Sequence, residues 1–488
     1  MKMRRPIKMP ACKQFLRCLA AILLFLPSAY AINRAHYSEL SQRFRTLAKQ
    51  KDWQGARNVL AEIGKELPAP TPRYFLLVAS VEAHLGHKAE SLQWLQKYAA
   101  TGLSYDLTRD DDLKALLAEE AGQKLVAEMK QTSQPVEKAE FLCTLPQADT
   151  MPEDIAYVKS SDIKSLDSKS GDGKSSDRKS APSFIISSIQ HRTLYRLSLP
   201  KAGSSGAKAE TKECTMQELP LPEEAKRWPT LAVSAAPDGK TLWMTANAMP
   251  GFSGFPKEDE GKAALFQIDV QSGKVLHRYD LAEYPAARPA VLGDMQVAQD
   301  GTVYVTDSIG GGVYRLRQNS RNTKGETAKL EKIADGLFSP QTPALSRDGK
   351  RLFVADYSMG IVVIDLTTPG TATRLNYLPH PENVAVVGLD GLYLSGDSLI
   401  GIQNGTEPNR ILQMKLNAAQ TEIINAEVIE QATERMGDPT HAVPVDGWFY
   451  VSANVGWSKV EDNGKLKDGE KFTPPVLLRF PAPGRAGK

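Results

Sequence analysis

The sequence predicts two structural classes in one chain: an all-α domain of short helical repeats over residues 33–132, and an all-β, six-bladed β-propeller over residues 139–488. Three observations carry this. A pattern of apolar strand, Asp-Gly-type turn and second apolar strand recurs six times from Pro152 onward, most clearly in GDMQVAQDGTVYVTDS from Gly293 and SPQTPALSRDGKRLFVAD from Ser339. Unit starts near 152, 229, 293, 340, 388 and 438 settle, once two inserts are discounted, to intervals of roughly 47 to 50 residues, the length of one four-stranded blade. Ahead of the repeats, apolar residues recur three or four apart, which is the helical period.

Residues 1–31 read as a secretory signal. They combine a basic start (Lys2, Arg4, Arg5, Lys8, Lys13, Arg17), the apolar run CLAAILLFL and a small-x-small end at Ala29-Tyr30-Ala31, so cleavage is expected after Ala31. The apolar run falls short of the ~20 residues that span a bilayer, so no membrane attachment is expected after cleavage. Those six basic residues come with no acidic one, and the formal charge of +3 for the whole chain becomes −3 without them. A near-neutral chain lacking a basic stripe offers no footprint for nucleic acid. The expected location is outside the cytoplasm, in the periplasm.

The helical segments are HYSELSQRFRTLAKQ, DWQGARNVLAEIGKEL, PRYFLLVASVEAHLG and HKAESLQWLQKYAATG. Leu40, Phe44 and Leu47 form one apolar stripe, and Ala56, Leu60 and Ile63 another. Pro68, Pro70 and Pro72 separate two helix pairs, and Gly86 and Gly102 end helices. Trp53, Ala56, Gly86 and Ala89 fall where tetratricopeptide repeats place their packing residues, and the stretch resembles two such pairs closed by a capping helix in YDLTRDDDLKALLAEEAGQKLVAEM. The resemblance implies a protein partner for this module, the alternative being a helical hairpin domain with none. Two repeats are few for a free-standing solenoid, so the domain is expected to lean on the propeller.

The last propeller unit ends at PPVLLRF with three of its four strands. AEFLCTLP, ahead of the first blade, can supply the fourth, so residues of about 139–145 are expected to pair with the C-terminal blade and remove two free sheet edges. Strand order then assigns loops to faces: first-to-second turns lie on one side, second-to-third loops and blade connections on the other, where the inner strands begin. KSSDIKSLDSKSGDGKSSDRKS, within 159–182, falls on the first side and has little to bury, so it is expected to be a disordered insert. MPGFSGFPKEDEGK, residues 249–262, falls on the second side as a mobile flap or an ordinary packed loop. Cys143 and Cys214 are the two cysteines left after the signal, in a compartment that permits a disulfide. Both precede Pro-containing leads into blades and look like equivalent positions on diverging outer strands, which argues against a bridge.

Chemistry is expected where inner strands begin, because carboxylates there converge on one channel. Glu153, Asp294 and Asp390 should approach one another and repel unless a cation or a shared proton intervenes; the alternative is that they cap strand ends. Asp390 is expected at a strand start, the turn of that blade being better placed at Ser395-Gly396-Asp397. Gln403, Asn404 and Arg410 follow the second strand of blade 5, Asn454 and Trp457 do so in blade 6, and His441 and His191 lie at strand ends of blades 6 and 1. Together they make a candidate surface for a small molecule held by stacking and hydrogen bonds. The mature chain holds no P-loop, dinucleotide fingerprint, CxxC or HExxH.

Pro152-Glu153-Asp154 before IAYV, SSIQHRTLYRL from Ser187 and GDMQVAQDGTVYVTDS resemble the six-bladed family of senescence marker protein 30, gluconolactonases and luciferin-regenerating enzymes. The resemblance implies a divalent metal, calcium or zinc, held by a Glu, two Asn and an Asp at the channel mouth, the Asp also serving hydrolysis. Here Glu153 matches the Glu and Asp390 the Asp, while the Asn positions correspond to Asp294 and Gln341. Asp294 keeps an oxygen ligand for a hard cation, and Gln341 a carbonyl at longer reach. Two functions follow as expectations: a metal-dependent lactonase-like hydrolase with Asp390 as catalytic base, or a non-enzymatic binding and scaffold protein.

Overall fold

The computed structural model describes residues 31–32, 34–107, 111–159, 183–200, 212–281, 289–317 and 328–484. Residues 1–30 of the expected signal 1–31 and 160–182 of the expected insert 159–182 lie outside the described residues. Among the described residues six α-helices precede the blades: α1 (Arg34–Lys49), α2 (Trp53–Glu66), α3 (Pro72–His84), α4 (Lys88–Ala100), α5 (Lys114–Leu117) and α6 (Glu120–Thr132). Asp52 caps α2 by accepting from the Gly55 amide, and Thr71 caps α3 just ahead of Pro72. Gly86 and Gly102, both at positive φ, end α3 and α4. Among the described residues no helix is long and apolar enough to cross a membrane.

The apolar stripes of α1 and α2 do not end in a helical core. Leu40, Leu60 and Ile63 share one buried cluster with Val313, Leu337, Val354 and Tyr377 of blades 3 and 4. Arg34 donates to the Leu337 carbonyl (2.6 Å) and Tyr37 meets Phe338 edge to face. The helical domain therefore leans on the propeller.

Six antiparallel sheets of four strands follow, one of them extended to five by Ala31–Ile32 pairing with Leu375–Asn376 of blade 4. Their innermost strands are Ile155–Val158, Thr230–Ala235, Leu292–Val297, Pro340–Leu345, Leu389–Ser395 and Ala442–Val445. Neighbouring blades pack through large side chains, such as Phe184 of blade 1 on Tyr450 of blade 6, with ring centroids 4.6 Å apart. Truncating such a buried ring costs about 3–5 kcal/mol. A polar residue ending the second strand often ties down the connection into its own blade: Ser188 bonds Thr150, Asp307 the Val291 amide, and Asp356 the Phe338 and Ser339 amides.

Glu140–Thr144 pairs with Val476–Pro481 and closes the ring as the outermost strand of blade 6. The cysteine expectation is corrected: Cys143 and Cys214 form a disulfide, with Cα atoms 5.4 Å apart. The outer strands of blades 6 and 1 do not diverge at this corner. Thr144 and Lys212–Cys214 run parallel there and exchange backbone hydrogen bonds, which brings the two cysteines together. The loop over 249–262 is a packed one. Phe255 sits against the blade 2 core, and Asp259 accepts from Arg227, Trp228 and Lys262.

Candidate functional site

Four of the six inner strands share an irregularity. Register shifts fall between Thr230 and Val233, Leu292 and Met295, Pro340 and Pro343, and Leu389 and Gly391. A bulge bends its strand and re-aims the extra residue, and bulges gather beside functional sites. Asp294, Gln341, Thr342 and Asp390 all lie inside these bulges. Gly388 makes the approach to Asp390 possible: it has φ +66°, and a Cβ there would stand 2.8 Å from the Gly405 carbonyl carbon.

A cavity of about 680 Å³ opens on the face where the inner strands begin. Its walls include Glu153, Gln341, Tyr357, Asp390, Asn404, Glu407, Asn409, Asp438 and Trp457. The Trp457 indole N–H donates to Glu153 Oε2 at 2.5 Å, and Asn404 Nδ2 donates to Asp390 Oδ2 at 2.6 Å. The Tyr357 hydroxyl holds Asn404 from behind by donating to its Oδ1 at 2.8 Å. Asp438 accepts from the Gly456 and Ser458 amides and so presents the Trp457 loop.

Ligand atoms of Glu153, Asp390 and His441 all lie within 4.8 Å of one another, and all three residues are buried. Burial, and then repulsion from Asp390, raise the Glu153 carboxyl well above its usual range. Burial likewise pushes Asp390 up to about 7 against the opposing pull of His441, with Asp294 adding repulsion, and burial raises Asp154 to about 6. Burial works against charge on His441, but Asp294, Tyr393 and Asp154 outweigh it and hold the imidazole well above its usual value.

The hydrogen bonds change the proposed ligand set. His441 Nδ1 faces the Glu153 carbonyl oxygen at 2.9 Å, and Nε2 faces Asp294 Oδ1 at 2.6 Å and Thr342 Oγ1 at 3.1 Å. Both ring nitrogens are thereby committed as donors and leave no lone pair for a metal. Asp294 is corrected as a ligand: it pairs with His441 below the cavity and is absent from its walls. Glu153, Asp390 and Gln341 remain together there, and Gln341 spends its amide N–H on Ser339. Two carboxylates and an amide carbonyl form a hard oxygen set, which suits calcium better than zinc.

The small-molecule residues separate in the same way. Asn404 and Trp457 face the cavity. Gln403 and Arg410 do not: Gln403 donates to the Ala385 and Val387 carbonyls, while Arg410 donates to Gln403 and to Thr101 of the helical domain. Asn454 is spent on Thr473 and Pro474, and His191 on Tyr195 beside Asp149. Sequence reasoning missed Tyr357, Glu407 and the structural part of Thr342. The usable signal for Tyr357 was its place directly after FVAD, the same second-to-third loop that carries Asn404 one blade on.

No protein-family model matches the chain, and no curated protein matches it. Among solved structures, it is similar to the PQQ-bound aldose sugar dehydrogenase of Streptomyces coelicolor at 12% identity, over 71% of this chain and 98% of that one, with a TM-score of 0.42. A luciferin-regenerating enzyme is similar at 12% identity over 72% of this chain and 96% of its own, with a TM-score of 0.42. Regucalcin of Agrobacterium tumefaciens, a calcium-binding protein, is similar at 14% identity over 62% and 88%, with a TM-score of 0.39. These are likenesses of fold.

Proposed function

We propose that the cavity at the channel mouth is a calcium-dependent site for hydrolysis of a small polar ester, most simply a lactone. The observation that carries this is the apposition of Glu153 and Asp390, two buried carboxylates that cannot both ionise cheaply without a cation between them. Glu153, Asp390 and the Gln341 carbonyl would hold the ion, which when bound supplies Lewis-acid polarisation of a carbonyl and of water. Asp390, held ionised beside the ion, would accept the proton of the attacking water as the new C–O bond forms. The ring C–O bond then breaks, and the proton passes to the departing alkoxide to give the hydroxy acid. Trp457 and Asn404 fix the carboxylates, while Glu407 and Asn409 line the space left for substrate.

The Cys143–Cys214 disulfide supports an exported, periplasmic location, since such bridges persist in oxidising compartments. The helical domain reads as a fixed support of the site. Ser104 donates its amide to the Glu407 carbonyl (2.7 Å), and Arg410 joins Gln403 to Thr101 at the base of the same loop. Calcium titration followed by melting temperature tests the metal reading, with a shift expected in the parent chain and lost in Asp390→Ala. Hydrolysis of simple lactones with and without chelator tests the chemistry; no calcium shift and no chelator-sensitive turnover would overturn the proposal.

A further inference from the structure

His441 precedes the inner strand of blade 6, yet its ring reaches residues of three other blades and, through Thr342, a fourth. Nδ1 donates to the Glu153 carbonyl oxygen of blade 1 (2.9 Å), which also accepts from Thr440 Oγ1 (2.6 Å). Nε2 points to Asp294 of blade 3 (2.6 Å) and to Thr342 of blade 4 (3.1 Å). Thr342 Oγ1 in turn donates to the Asp390 carbonyl oxygen of blade 5 (2.7 Å). Because that hydroxyl spends its hydrogen on Asp390, it can only accept from Nε2.

One imidazole therefore holds the Glu153 main chain directly and the Asp390 main chain through Thr342. It does so without facing the upper cavity, since His441 and Thr342 line a second cavity of about 730 Å³ at the opposite mouth of the channel, together with Asp154 and Tyr393. The ring is the floor between the two. Asp294 has its other oxygen, Oδ2, buried with no hydrogen-bond partner, so its one engaged oxygen is given to His441.

We propose that His441 is the positioning residue of this site, a buried imidazole that sets the spacing of Glu153 and Asp390 from beneath, through the Glu153 carbonyl directly and through Thr342 on Asp390. This rests on the calcium-site reading for its functional consequence, though the hydrogen-bond arrangement stands without it. Groups behind metal ligands typically change affinity by about 10–100-fold when removed, because they orient what they touch.

The test uses the full mature chain with calcium as the probe. His441→Gly should remain folded, judged by a cooperative melt, and bind calcium about 10–100-fold more weakly by isothermal titration calorimetry. Imidazole, entering through the lower cavity that His441 lines, should restore affinity, whereas 1-methylimidazole, which lacks the second N–H, should not. Thr342→Val, isosteric and less disruptive, should also weaken binding by removing the link to Asp390. Unchanged affinity in both variants, or a folded His441→Gly that imidazole fails to rescue, overturns the proposal. Nitrogen-15 NMR of His441 in the metal-free parent chain provides a readout independent of the ion. A hydrogen-bonded, slowly exchanging Nδ1–H is expected, and an Nδ1 without a bound proton overturns the arrangement. If the parent chain binds no calcium while the Nδ1–H is hydrogen-bonded, the calcium-site reading fails and the hydrogen-bond role of His441 stands.

Discussion

Replacing Asp390 by Asn should make the metal-free protein more stable while removing its response to calcium. Asp390 titrates near 7 in the folded chain against an ordinary 3.8, chiefly because it is buried. The folded state therefore binds the proton more tightly than the unfolded chain does. Below the unfolded value both states are protonated and nothing is lost; between about pH 4 and pH 7 the folded state loses about 1.4 kcal/mol per pH unit, about 4 kcal/mol in all. That figure is an upper one, because Glu153 titrates with Asp390 as a pair and a shared proton relieves both. An Asn side chain keeps an oxygen for the Asn404 amide and carries no charge to bury. Urea unfolding followed by circular dichroism at pH 4, 6 and 8, in chelator or in calcium, reads the difference. Asp390→Asn should match the parent near pH 4 in chelator and exceed it by up to about 4 kcal/mol at pH 8. Equal stability at pH 8 in chelator, or undiminished calcium stabilisation of the variant, would refute the reasoning.

Three further outcomes are expected. Removing the Cys143–Cys214 bridge, which closes a sequence separation of 71, should cost about 4 kcal/mol by the chain-entropy relation, seen as a lowered urea midpoint; a loss below about 1 kcal/mol would show that strand pairing alone seals the ring. Arg410→Met leaves the Thr101 carbonyl and the Gln403 side chain without their donor, so a loss of about 2–3 kcal/mol and faster proteolysis around Leu103–Leu107 should follow. Gly388→Ala forces a side chain to φ +66° and against Gly405, costing about 1–3 kcal/mol; it should also weaken calcium binding by moving Asn404, as calorimetry would register.

The repeat was legible because each blade restates the same alternation, and six copies average out local ambiguity. The closing strand was legible for the same reason, since a unit one strand short must borrow. Within the site, position along a strand was readable but side-chain direction was not. Gln403 and Asn404 are adjacent, yet one ties down the connection into blade 5 and the other faces the cavity. A period of two says that neighbours point apart, and it does not say which one faces the channel. The bulges at Asp294 and Asp390 shift that alternation again, and nothing in the local residues marks them. His441 and Asp294 find each other across the ring, a contact that depends on blades 3 and 6 facing one another over the channel. The two cysteines were misread because equivalence between blades was assumed for strands that meet at the one corner where the ring is joined.

That join has a consequence for how the chain is made. Glu140–Thr144 is made long before its hydrogen-bonding partner Val476–Pro481. Until then the strand is an open edge, the kind of surface that invites pairing with other chains. Cys214 arrives long before the final strand, so a bridge to Cys143 can form while blade 6 does not yet exist. A bridge made at that stage would hold the first strand beside blade 1, in the place where the last one docks.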